Sequence, residues 1–522
     1  MTTAPPHPTT SLGTVTTIGD VLPVAARRFG EKTALVLEDR SFTFADLEQR
    51  SNRVASGLAS LGVRPGDRVT LYGPNCWEWV VAYYAIAKTG AVVNPISAML
   101  TPEEVGYVVA DSGARVVVTS VDQGLPLLDL VAADALSHLV LWGDDVPEGS
   151  ASFARWVEDA DPGWTPVRRD PGEVGAICYT SGTTGHPKGA MQSHRAVVAA
   201  AVGTVLMGAR GPDDRVLNSL PLAHVYGSCV LNGSMLAGST LVVVPRFNEV
   251  AVLTAIERHR ATLMDGVPTA YYYLLAHPDF DRADLSSLTR CWVGGQTLPS
   301  AKALEFTART GCPIHEVWGM TELAGAASAN PVVGPNKPGT IGIAYPGNAM
   351  QVVDMDDPGT VMAPGERGEL MFRGPMVMDG YYRNDEATRA SIEPDGWLHS
   401  GDIATMDEDG YFTIVDRKTD MILTAGYNVY PAELERVLCM HPAVALAAVT
   451  GVFDEVKGEL AKAYVVLKPG TTVTAEQLIA HCREHLAAYK LPRVVQFVDE
   501  VPITASGKIM RRLLKNYDDG ER

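Results

Sequence analysis

The stretch YTSGTTGHPKGAM, residues 179–191, places hydroxyl side chains, three glycines and one lysine between apolar flanks. Glycines let the backbone approach a ligand and turn its N–H groups inward, which creates a concave site for an anion. The preceding residues 174–178, VGAIC, have the composition of a buried strand. The stretch therefore predicts a phosphate-binding loop after a strand, and a surface loop without a ligand is the alternative on composition alone.

This loop is not a Walker A loop. That motif requires glycine, lysine and then serine or threonine at three successive positions. The chain has Pro187, Lys188 and Gly189 there. The predicted phosphate loop must therefore belong to a different class of nucleotide-binding protein.

Length and composition predict an ordinary globular protein. The 522 residues suggest about two to four folding units. The net charge of -18 argues against a nucleic-acid partner, because phosphate backbones attract basic surfaces. Seven scattered cysteines without a C-x-x-C pair argue against a disulfide framework or a zinc ribbon.

The N-terminus lacks the features of a signal peptide, and the apolar run from Val197 is shorter than the ~20 residues of a transmembrane helix. We therefore expect a cytoplasmic protein without a transmembrane segment.

The order of helical and strand-like segments predicts an α/β fold with largely parallel sheets. Helical spacing in residues 47–62 alternates with short apolar strands in residues 67–73, 114–120 and 239–245. Short strands broken by proline and glycine over residues 347–373 predict a small β-rich subdomain. After Asp416, strand–helix–strand content predicts a separate α+β domain. Its helix begins at the capping box of Thr474 and Gln477 and is predicted to continue through Leu486 and Tyr489.

Several motifs along the chain resemble the adenylate-forming superfamily, which contains acyl-CoA synthetases, firefly luciferase and peptide-synthetase adenylation domains. Residues 180–189 match that family's phosphate loop in full, and the resemblance extends from FTFADLEQRSNRVASGL to GKIMRR. It implies a large N-terminal domain of two α/β sheet subdomains plus a small β-barrel subdomain, followed by a mobile α+β C-terminal domain. The expected divisions are a flexible tail at residues 1–17, the adenylation domain at 18–416 and the mobile domain at 417–522.

The same resemblance implies sites for ATP and Mg²⁺. The expected phosphate loop contains Thr180, Ser181, Gly182, Thr183, Thr184, Gly185 and Lys188. One wall of the adenine pocket is expected at Gly295 and Gln296, and the opposite wall at Glu316, Val317, Trp318 and Gly319. Gln296 and Thr297 replace the small pair that is commoner in the family, and Trp318 stands where tyrosine is usual. Asp402 is expected to bind the ribose and Arg417 the ribose or a phosphate. Thr321 is expected at the α-phosphate, and Glu322 is expected to hold the metal, because Mg²⁺ prefers oxygen ligands.

Catalysis and the two other substrates are also assigned from the resemblance. Lys508 is expected to stabilise the charge that develops between the acid and the α-phosphate. His224 is expected beside the acid, although a lone histidine in an apolar stretch is more often a core residue. The expected acid pocket consists of His224, Val225, Tyr226, Gly294, Trp318, Met320 and Ala324. Ala425 and Gly426 are expected to line the coenzyme A tunnel, and Thr419 is expected at the hinge between the domains.

The predicted function is an ATP-dependent carboxylic acid–CoA ligase that forms an acyl-adenylate and releases AMP and pyrophosphate. Residues 217–236 contain no acidic side chain to hold an α-amine, which favours a simple acid over an amino acid. The small residues LAGAASAN after Glu322 favour a medium- to long-chain fatty acid. An aryl or cinnamate-type acid, and a stand-alone adenylation enzyme that loads an acyl carrier protein, are the alternatives. A luciferase-like oxidation and a non-catalytic nucleotide-binding regulator are the remaining alternatives. A homodimer is left open.

Overall fold

The computed structural model describes residues 15–180, 187–424, 427–454, 458–504 and 509–514. The first described part alternates helices and strands. Its elements are α1 (Ile18–Phe29), β1 (Thr33–Leu37), β2 (Arg40–Thr43), α2 (Phe44–Ser60), β3 (Arg68–Tyr72), α3 (Trp77–Lys88), β4 (Val92–Ile96), α4 (Pro102–Ser112), β5 (Val116–Ser120), α5 (Val121–Gly124), a 3-10 helix (Leu125–Leu127), α6 (Leu128–Ala132), β6 (His138–Trp142), β7 (Ala151–Ser152), α7 (Phe153–Asp159) and β8 (Val174–Tyr179).

The alternation continues through the middle of the chain. Its elements are β9 (Gly189–Ser193), α8 (His194–Met207), β10 (Arg215–Asn218), α9 (Val225–Ala237), β11 (Thr240–Val243), α10 (Glu249–His259), β12 (Leu263–Gly266), α11 (Pro268–Ala276), β13 (Arg290–Gly294), α12 (Ser300–Thr310), β14 (Ile314–Met320), a 3-10 helix (Thr321–Leu323) and β15 (Gly325–Ala329). Strand β12 is buried at every residue, as expected for a parallel strand covered on both faces.

The last third of the chain is richer in strands. Its elements are β16 (Ile343–Ala344), β17 (Ala349–Val353), β18 (Gly368–Arg373), β19 (Gly380–Tyr381), α13 (Asp385–Ser391), β20 (Leu398–Met406), β21 (Phe412–Arg417), β22 (Ile422–Thr424), β23 (Tyr427–Val429), α14 (Pro431–Met440), β24 (Val444–Asp454), β25 (Gly458–Leu467), α15 (Ala475–His485), a 3-10 helix (Ala488–Lys490), β26 (Val494–Phe497) and α16 (Arg511–Leu514).

Four sheets organise these elements. One sheet has the strand order β16-β15-β14-β13-β12-β10-β11-β1-β2, and a second has β19-β9-β8-β4-β3-β5-β6-β7. Both are parallel in their centres and antiparallel towards one or both edges. The antiparallel sheet β17-β18-β20-β21 forms the small β subdomain, and β23-β22-β25-β24 with β26 forms the C-terminal sheet. The predicted α/β fold with a large N-terminal domain and a small C-terminal domain is confirmed.

The hydrophobic core joins the two large sheets. Helices α8 and α9 are buried between them, and α9 contacts both α1 and β15. Their packing brings the ends of β8, β13 and β14 into one region. In open α/β sheets, ligands bind outside the carboxyl ends of the strands.

One helix boundary in the C-terminal domain differs from the prediction. The capping box of Thr474 and Gln477 is present, but α15 ends at His485 instead of continuing through Leu486 and Tyr489. Leu486 has extended backbone angles, and its side chain packs against the core of the C-terminal sheet. Packing of the chain after Leu486 therefore overrides the helical spacing in the sequence.

Among the described residues, no helix combines the length and the apolar composition that a membrane crossing requires. The apolar run from Val197 lies within α8, which is 14 residues long.

Candidate active site

A cavity of about 500 Å³ lies beside the carboxyl ends of β13 and β14, where β20, β21 and the C-terminal segment meet them. Eight of its lining residues are those predicted for the adenine, ribose and phosphate sites: Gly295, Gln296, Glu316, Val317, Trp318, Gly319, Asp402 and Arg417. These residues come from four separate stretches of the sequence. The fold therefore brings together the predicted nucleotide-binding residues in one cleft.

Asp402 is the central polar group of this cleft. Its carboxylate Oδ2 accepts a hydrogen bond of 2.7 Å from Trp318 Nε1, and Oδ1 lies 3.2 Å from Arg417 Nε. Strands β20 and β21 pair Asp402 directly with Arg417, which fixes the second contact. The Asp402 side chain is 6% exposed, whereas that of Arg417 is 52% exposed. A carboxylate only accepts hydrogen bonds, so each Asp402 oxygen retains a lone pair for a ribose hydroxyl.

The wall after β13 connects to the end of the chain. Gly295 has φ +92°, a left-handed conformation that favours glycine, and directs the chain across the cleft. The next residue, Gln296, accepts a hydrogen bond at Oε1 from the backbone N–H of Ile509, at 3.3 Å. Ile509 also forms an antiparallel bridge with Ile503. The described residues on both sides of 505–508 are thereby held next to the predicted adenine wall.

Glu316 is a buried carboxyl group on the opposite wall. Its Oε1 accepts a hydrogen bond from the backbone N–H of Gly339. Burial raises the pKa of Glu316 to about 8, although the Gly339 hydrogen bond acts in the opposite direction. The folded protein therefore retains a proton on Glu316 at pH values where the unfolded chain has lost it.

Replacing Glu316 with glutamine is expected to raise thermal stability in a pH-dependent manner. The wild-type contribution is fully present below the unfolded pKa, near 4.5, and is lost as pH rises through about 8. Glutamine does not titrate and keeps an oxygen for Gly339. The melting temperature of E316Q minus that of wild type should therefore increase between pH 5 and pH 8.5, as measured by differential scanning calorimetry. The exposed Glu366 provides the control E366Q, for which the difference should stay constant. A difference that is equally flat for E316Q would rule out the raised pKa.

Thr321 and Glu322 lie directly after β14, in a 3-10 helix that turns the chain into β15. The carbonyl of Thr321 accepts a hydrogen bond from Gln192 Nε2 at 2.7 Å, which ties this turn to β9. The buried carboxylate of Glu322 accepts a 2.6 Å hydrogen bond at Oε1 from the hydroxyl of Tyr381. Within the part of the chain that the structure describes, Tyr381 is hydrogen-bonded to Oε1 and not to Oε2, so this carboxylate fits the predicted Mg²⁺ ligand.

Tyr381 also connects this carboxylate to the phosphate loop. The ammonium of Lys188 lies 4.6 Å from the centroid of the Tyr381 ring. Burial, followed by the Glu322 carboxylate, raises the pKa of the Tyr381 hydroxyl, so it stays protonated and donates. At the base of the loop, the N–H of Thr180 donates to the carbonyl of Lys188 at 3.0 Å. Lys188 and Glu322 thus contact the same tyrosine, Lys188 at the ring and Glu322 at the hydroxyl.

Replacing Tyr381 with phenylalanine is expected to weaken the response to Mg²⁺. The ring would remain under Lys188, but Glu322 would lose the donor that orients its carboxylate. Loss of such a supporting hydrogen bond costs about 10- to 100-fold in metal affinity. Titration of Mg²⁺ against ATP-dependent turnover should show a half-maximal concentration raised within this range. An unchanged Mg²⁺ curve would contradict the orienting role.

The predicted acid pocket begins at the N-terminus of α9. His224 caps this helix, and its Nδ1 accepts a hydrogen bond from the N–H of Tyr226 at 3.2 Å. Val225 packs against Ala176 and Cys178 of β8, the strand before the phosphate loop.

The other side of the pocket is formed by the neighbouring strands. A Cβ built on Gly294 would lie 2.9 Å from the carbonyl oxygen of Val317 and 3.2 Å from Cε1 of Tyr226, so only glycine fits at this position. The carbonyl of Ala324 accepts a 3.3 Å hydrogen bond from Cys229 of α9, and Met320 packs partly buried against the same core. The predicted acid-pocket residues therefore meet around Tyr226, next to the nucleotide cleft.

Comparison with known proteins agrees with this geometry. The family model described as AMP-binding enzyme matches residues 22–382. The model described as AMP-binding enzyme C-terminal domain matches residues 433–508. The chain belongs to the AMP-binding enzyme family. The resemblance to adenylate-forming ligases and the assignment as an enzyme are thereby confirmed.

Two relatives and one solved structure show how similar this AMP-binding enzyme is to known proteins. It is 39% identical to a feruloyl-CoA synthase of Amycolatopsis sp., over 93% of this chain and 96% of that protein. It is 34% identical to a long-chain-fatty-acid–CoA ligase of Bacillus subtilis, over 95% and 94%. The crystal structure of the anthranilate CoA ligase AuaEII in complex with anthranoyl-AMP superimposes with a TM-score of 0.90 at 32% identity, covering 96% and 97%.

Several predicted site residues of this AMP-binding enzyme lie outside the described residues. They are Ser181, Gly182, Thr183, Thr184 and Gly185 of the phosphate loop, Ala425 and Gly426 of the predicted tunnel, and Lys508. The roles assigned to all site residues remain predictions. Two groups of contacts were not predicted from the sequence: the hydrogen bond from Tyr381 to Glu322, and the contact of Tyr226 with buried Asp265, at 3.3 Å. Neither Tyr381 nor Asp265 belongs to a recognisable motif, so only the fold reveals them.

Proposed function

We propose that this enzyme joins a carboxylic acid to coenzyme A at the expense of ATP, through an acyl-adenylate. The observation that carries the proposal is the position of Asp402, Trp318 and Arg417 in one cavity that Ile509 of the C-terminal segment also lines. A buried carboxylate beside an indole and a guanidinium fits an adenosine. The residues around Tyr226, next to this cavity, are the ones that we assign to the acid.

In the first half-reaction, an oxygen of the acid attacks the α-phosphorus of ATP, and the bond to pyrophosphate breaks. Asp402 orients the ribose, while the backbone around Gly295 and the indole of Trp318 enclose the adenine. Lys188 and Lys508 stabilise the negative charge that develops on the phosphates and the acid. A bound Mg²⁺ would neutralise phosphate charge, with Glu322 as its protein ligand and Tyr381 holding that carboxylate in place.

In the second half-reaction, the thiol of coenzyme A attacks the acyl carbonyl, and AMP leaves. Both steps take place at the same carboxyl group, so the group that serves the first step must make way for the thiol. The C-terminal segment touches the adenine wall through the Ile509–Gln296 hydrogen bond. Leu446 and Tyr464 of the C-terminal domain also share a hydrophobic core with Tyr272 of the N-terminal domain. Rotation of the C-terminal domain about Thr419 would exchange these contacts and would expose the acyl group to the proposed tunnel at Ala425 and Gly426.

Two classes of acid are candidates. A medium- to long-chain fatty acid follows from the small residues after Glu322 and is the class named for the Bacillus subtilis relative. Those small residues also have a packing role, since a Cβ on Gly325 would lie only 2.8 Å from the carbonyl oxygen of Val225. An aryl acid is favoured by the ring of Tyr226, whose hydroxyl is held by the buried carboxylate of Asp265. It is also the class named for the feruloyl and anthranilate relatives.

A panel of acids in a pyrophosphate-release assay tests both the chemistry and the acid class. We expect release that depends on ATP and on the acid, and conversion of the best acid to its coenzyme A thioester, identified by mass. Offering free coenzyme A and a phosphopantetheinylated carrier protein side by side decides between the two acceptors. Absence of acid-dependent pyrophosphate release with every acid would overturn the proposed function.

A further inference from the structure

At the end of α15 lies a cluster of metal-ligating side chains that the proposed reaction does not use. The last five residues of this helix read HCREH, which places His481, Glu484 and His485 three and four residues apart. Residues at this spacing are neighbours on one face of an α-helix. One ligand atom from each of the three side chains lies within 4.8 Å of the others. The helix therefore gathers two imidazoles and one carboxylate at one place on the surface.

This face of α15 is separate from the face that packs against the rest of the domain. Leu478 and Cys482 are buried in the core of the C-terminal sheet. Glu484 and His485 are exposed, and His481 is half-buried. The cluster is therefore open to solvent, and the hydrophobic core is built without it.

The ring of His481 is already oriented by the backbone of a second helix. Its Nε2 lies 3.0 Å from the carbonyl oxygen of Val437 on α14. A carbonyl only accepts hydrogen bonds, so in the neutral ring Nε2 carries the proton and Nδ1 keeps the lone pair. Metal-ligating histidines almost always donate their other ring N–H to a carbonyl or a carboxylate, which fixes the ring and raises its basicity. His481 therefore has the supporting contact that is typical of a metal ligand.

A third histidine packs against this ring without adding charge. The rings of His441 and His481 meet edge to face, with their centroids 5.3 Å apart. His441 Nδ1 accepts a hydrogen bond from the N–H of Ala443 at 3.2 Å, so its own lone pair is already used. Burial, followed by the neighbouring His481, lowers the pKa of His441. His441 therefore supports the ring of His481 as a neutral neighbour.

The donor set indicates which ions the cluster suits. Two histidines and one glutamate, with water in the fourth position, form a known type of zinc site. Imidazole nitrogen suits Zn²⁺, Ni²⁺ and Cu²⁺, whereas Mg²⁺ and Ca²⁺ prefer oxygen ligands. Zn–N bonds of about 2.0–2.1 Å bring the ligand atoms closer together than they lie now. The exposed side chains of Glu484 and His485 can rotate inward to meet this requirement.

We propose that His481, Glu484 and His485 form a binding site for one divalent transition-metal ion of the Zn²⁺ class, separate from the Mg²⁺ assigned to Glu322. The ion would stabilise the last turn of α15. Through the hydrogen bond of His481 to Val437, it would also strengthen the contact between α15 and α14. The site is independent of the proposed function.

Isothermal titration calorimetry with Zn²⁺ tests the site on the full-length enzyme without an affinity tag. Bound metals are first removed with a chelator, and excess Mg²⁺ is then kept present to occupy sites made of oxygen alone. We expect the wild type to bind one equivalent of Zn²⁺. H481Q and H485Q should each weaken this binding at least about tenfold, because loss of even a supporting contact costs that much. His485 is exposed, so H485Q without Zn²⁺ should keep the melting temperature of the wild type.

The control is H138Q, which removes a histidine at the start of β6, outside the cluster. Its affinity for Zn²⁺ should equal that of the wild type. Absence of 1:1 binding by the wild type, an unchanged affinity in H485Q, or an equal loss in H138Q would overturn the proposed metal site.

Discussion

Replacing Lys508 with alanine is expected to slow acyl-adenylate formation by about 100-fold or more, which corresponds to roughly 2.7 kcal/mol of transition-state stabilisation. The ammonium is proposed to stabilise charge that develops as the acid attacks the α-phosphorus. Lys508 itself lies outside the described residues. The residue after it, Ile509, bridges to Ile503 and donates to Gln296 of the predicted adenine wall. The second half-reaction, attack of coenzyme A on a supplied acyl-adenylate, should be largely spared.

The two half-reactions are measured separately, as pyrophosphate release without coenzyme A and as thioester formation from synthetic acyl-adenylate. Lys490 offers a matched control in the same domain, because its ammonium pairs with Glu433 at 2.7 Å and does not line the cavity. K490A should affect both half-reactions alike, through stability only. Equal losses of both half-reactions in K508A would contradict the role assigned to Lys508.

Replacing Asp402 with alanine is expected to raise KM for ATP by about 100-fold, because hydrogen bonds to a charged group are worth about 1.5–3 kcal/mol each. The variant would lose the proposed ribose acceptor and would also leave Trp318 Nε1 and Arg417 without their partner. KM for the acid should change less, since Asp402 meets the predicted acid pocket at Trp318, whose ring remains in the variant. Initial rates over a range of ATP concentrations provide the measurement.

Two further variants distinguish loss of ribose binding from loss of the hydrogen bond that holds the indole of Trp318. W318F removes only the indole donor and keeps the carboxylate, so its KM for ATP should rise only a few-fold. D402N keeps one acceptor oxygen and should lie between W318F and D402A. If W318F is as impaired as D402A, the carboxylate acts by holding the indole and not by binding the ribose.

Local structure was predictable where the signal lies within a few residues. The capping box of Thr474 and Gln477 appears in the structure as expected. The end of α15 was not predictable, because Leu486 becomes extended to pack on the C-terminal core. The order of strands in the sheets could not be predicted from local sequence either. Strand β1 pairs with β11, which lies some 200 residues away, and nothing local to Leu35 specifies Leu241 as its partner.

The candidate site shows the same division. Asp402, Arg417 and Trp318 belong to motifs that the sequence displays, and the structure places them in contact. Tyr381 stands in a stretch without a motif, and its importance depends on what folds against it. A buried carboxylate at Glu322 needs a donor, but the sequence does not say which residue supplies it.

The most direct test of the central claim is the product that forms from ATP and the best acid when coenzyme A is withheld. Acid quench of a concentrated reaction, followed by mass spectrometry, should show acyl-adenylate and pyrophosphate in equal amounts, and addition of coenzyme A should convert the acyl-adenylate to thioester and AMP. Appearance of ADP with orthophosphate or an acyl phosphate, in place of acyl-adenylate, would contradict the account.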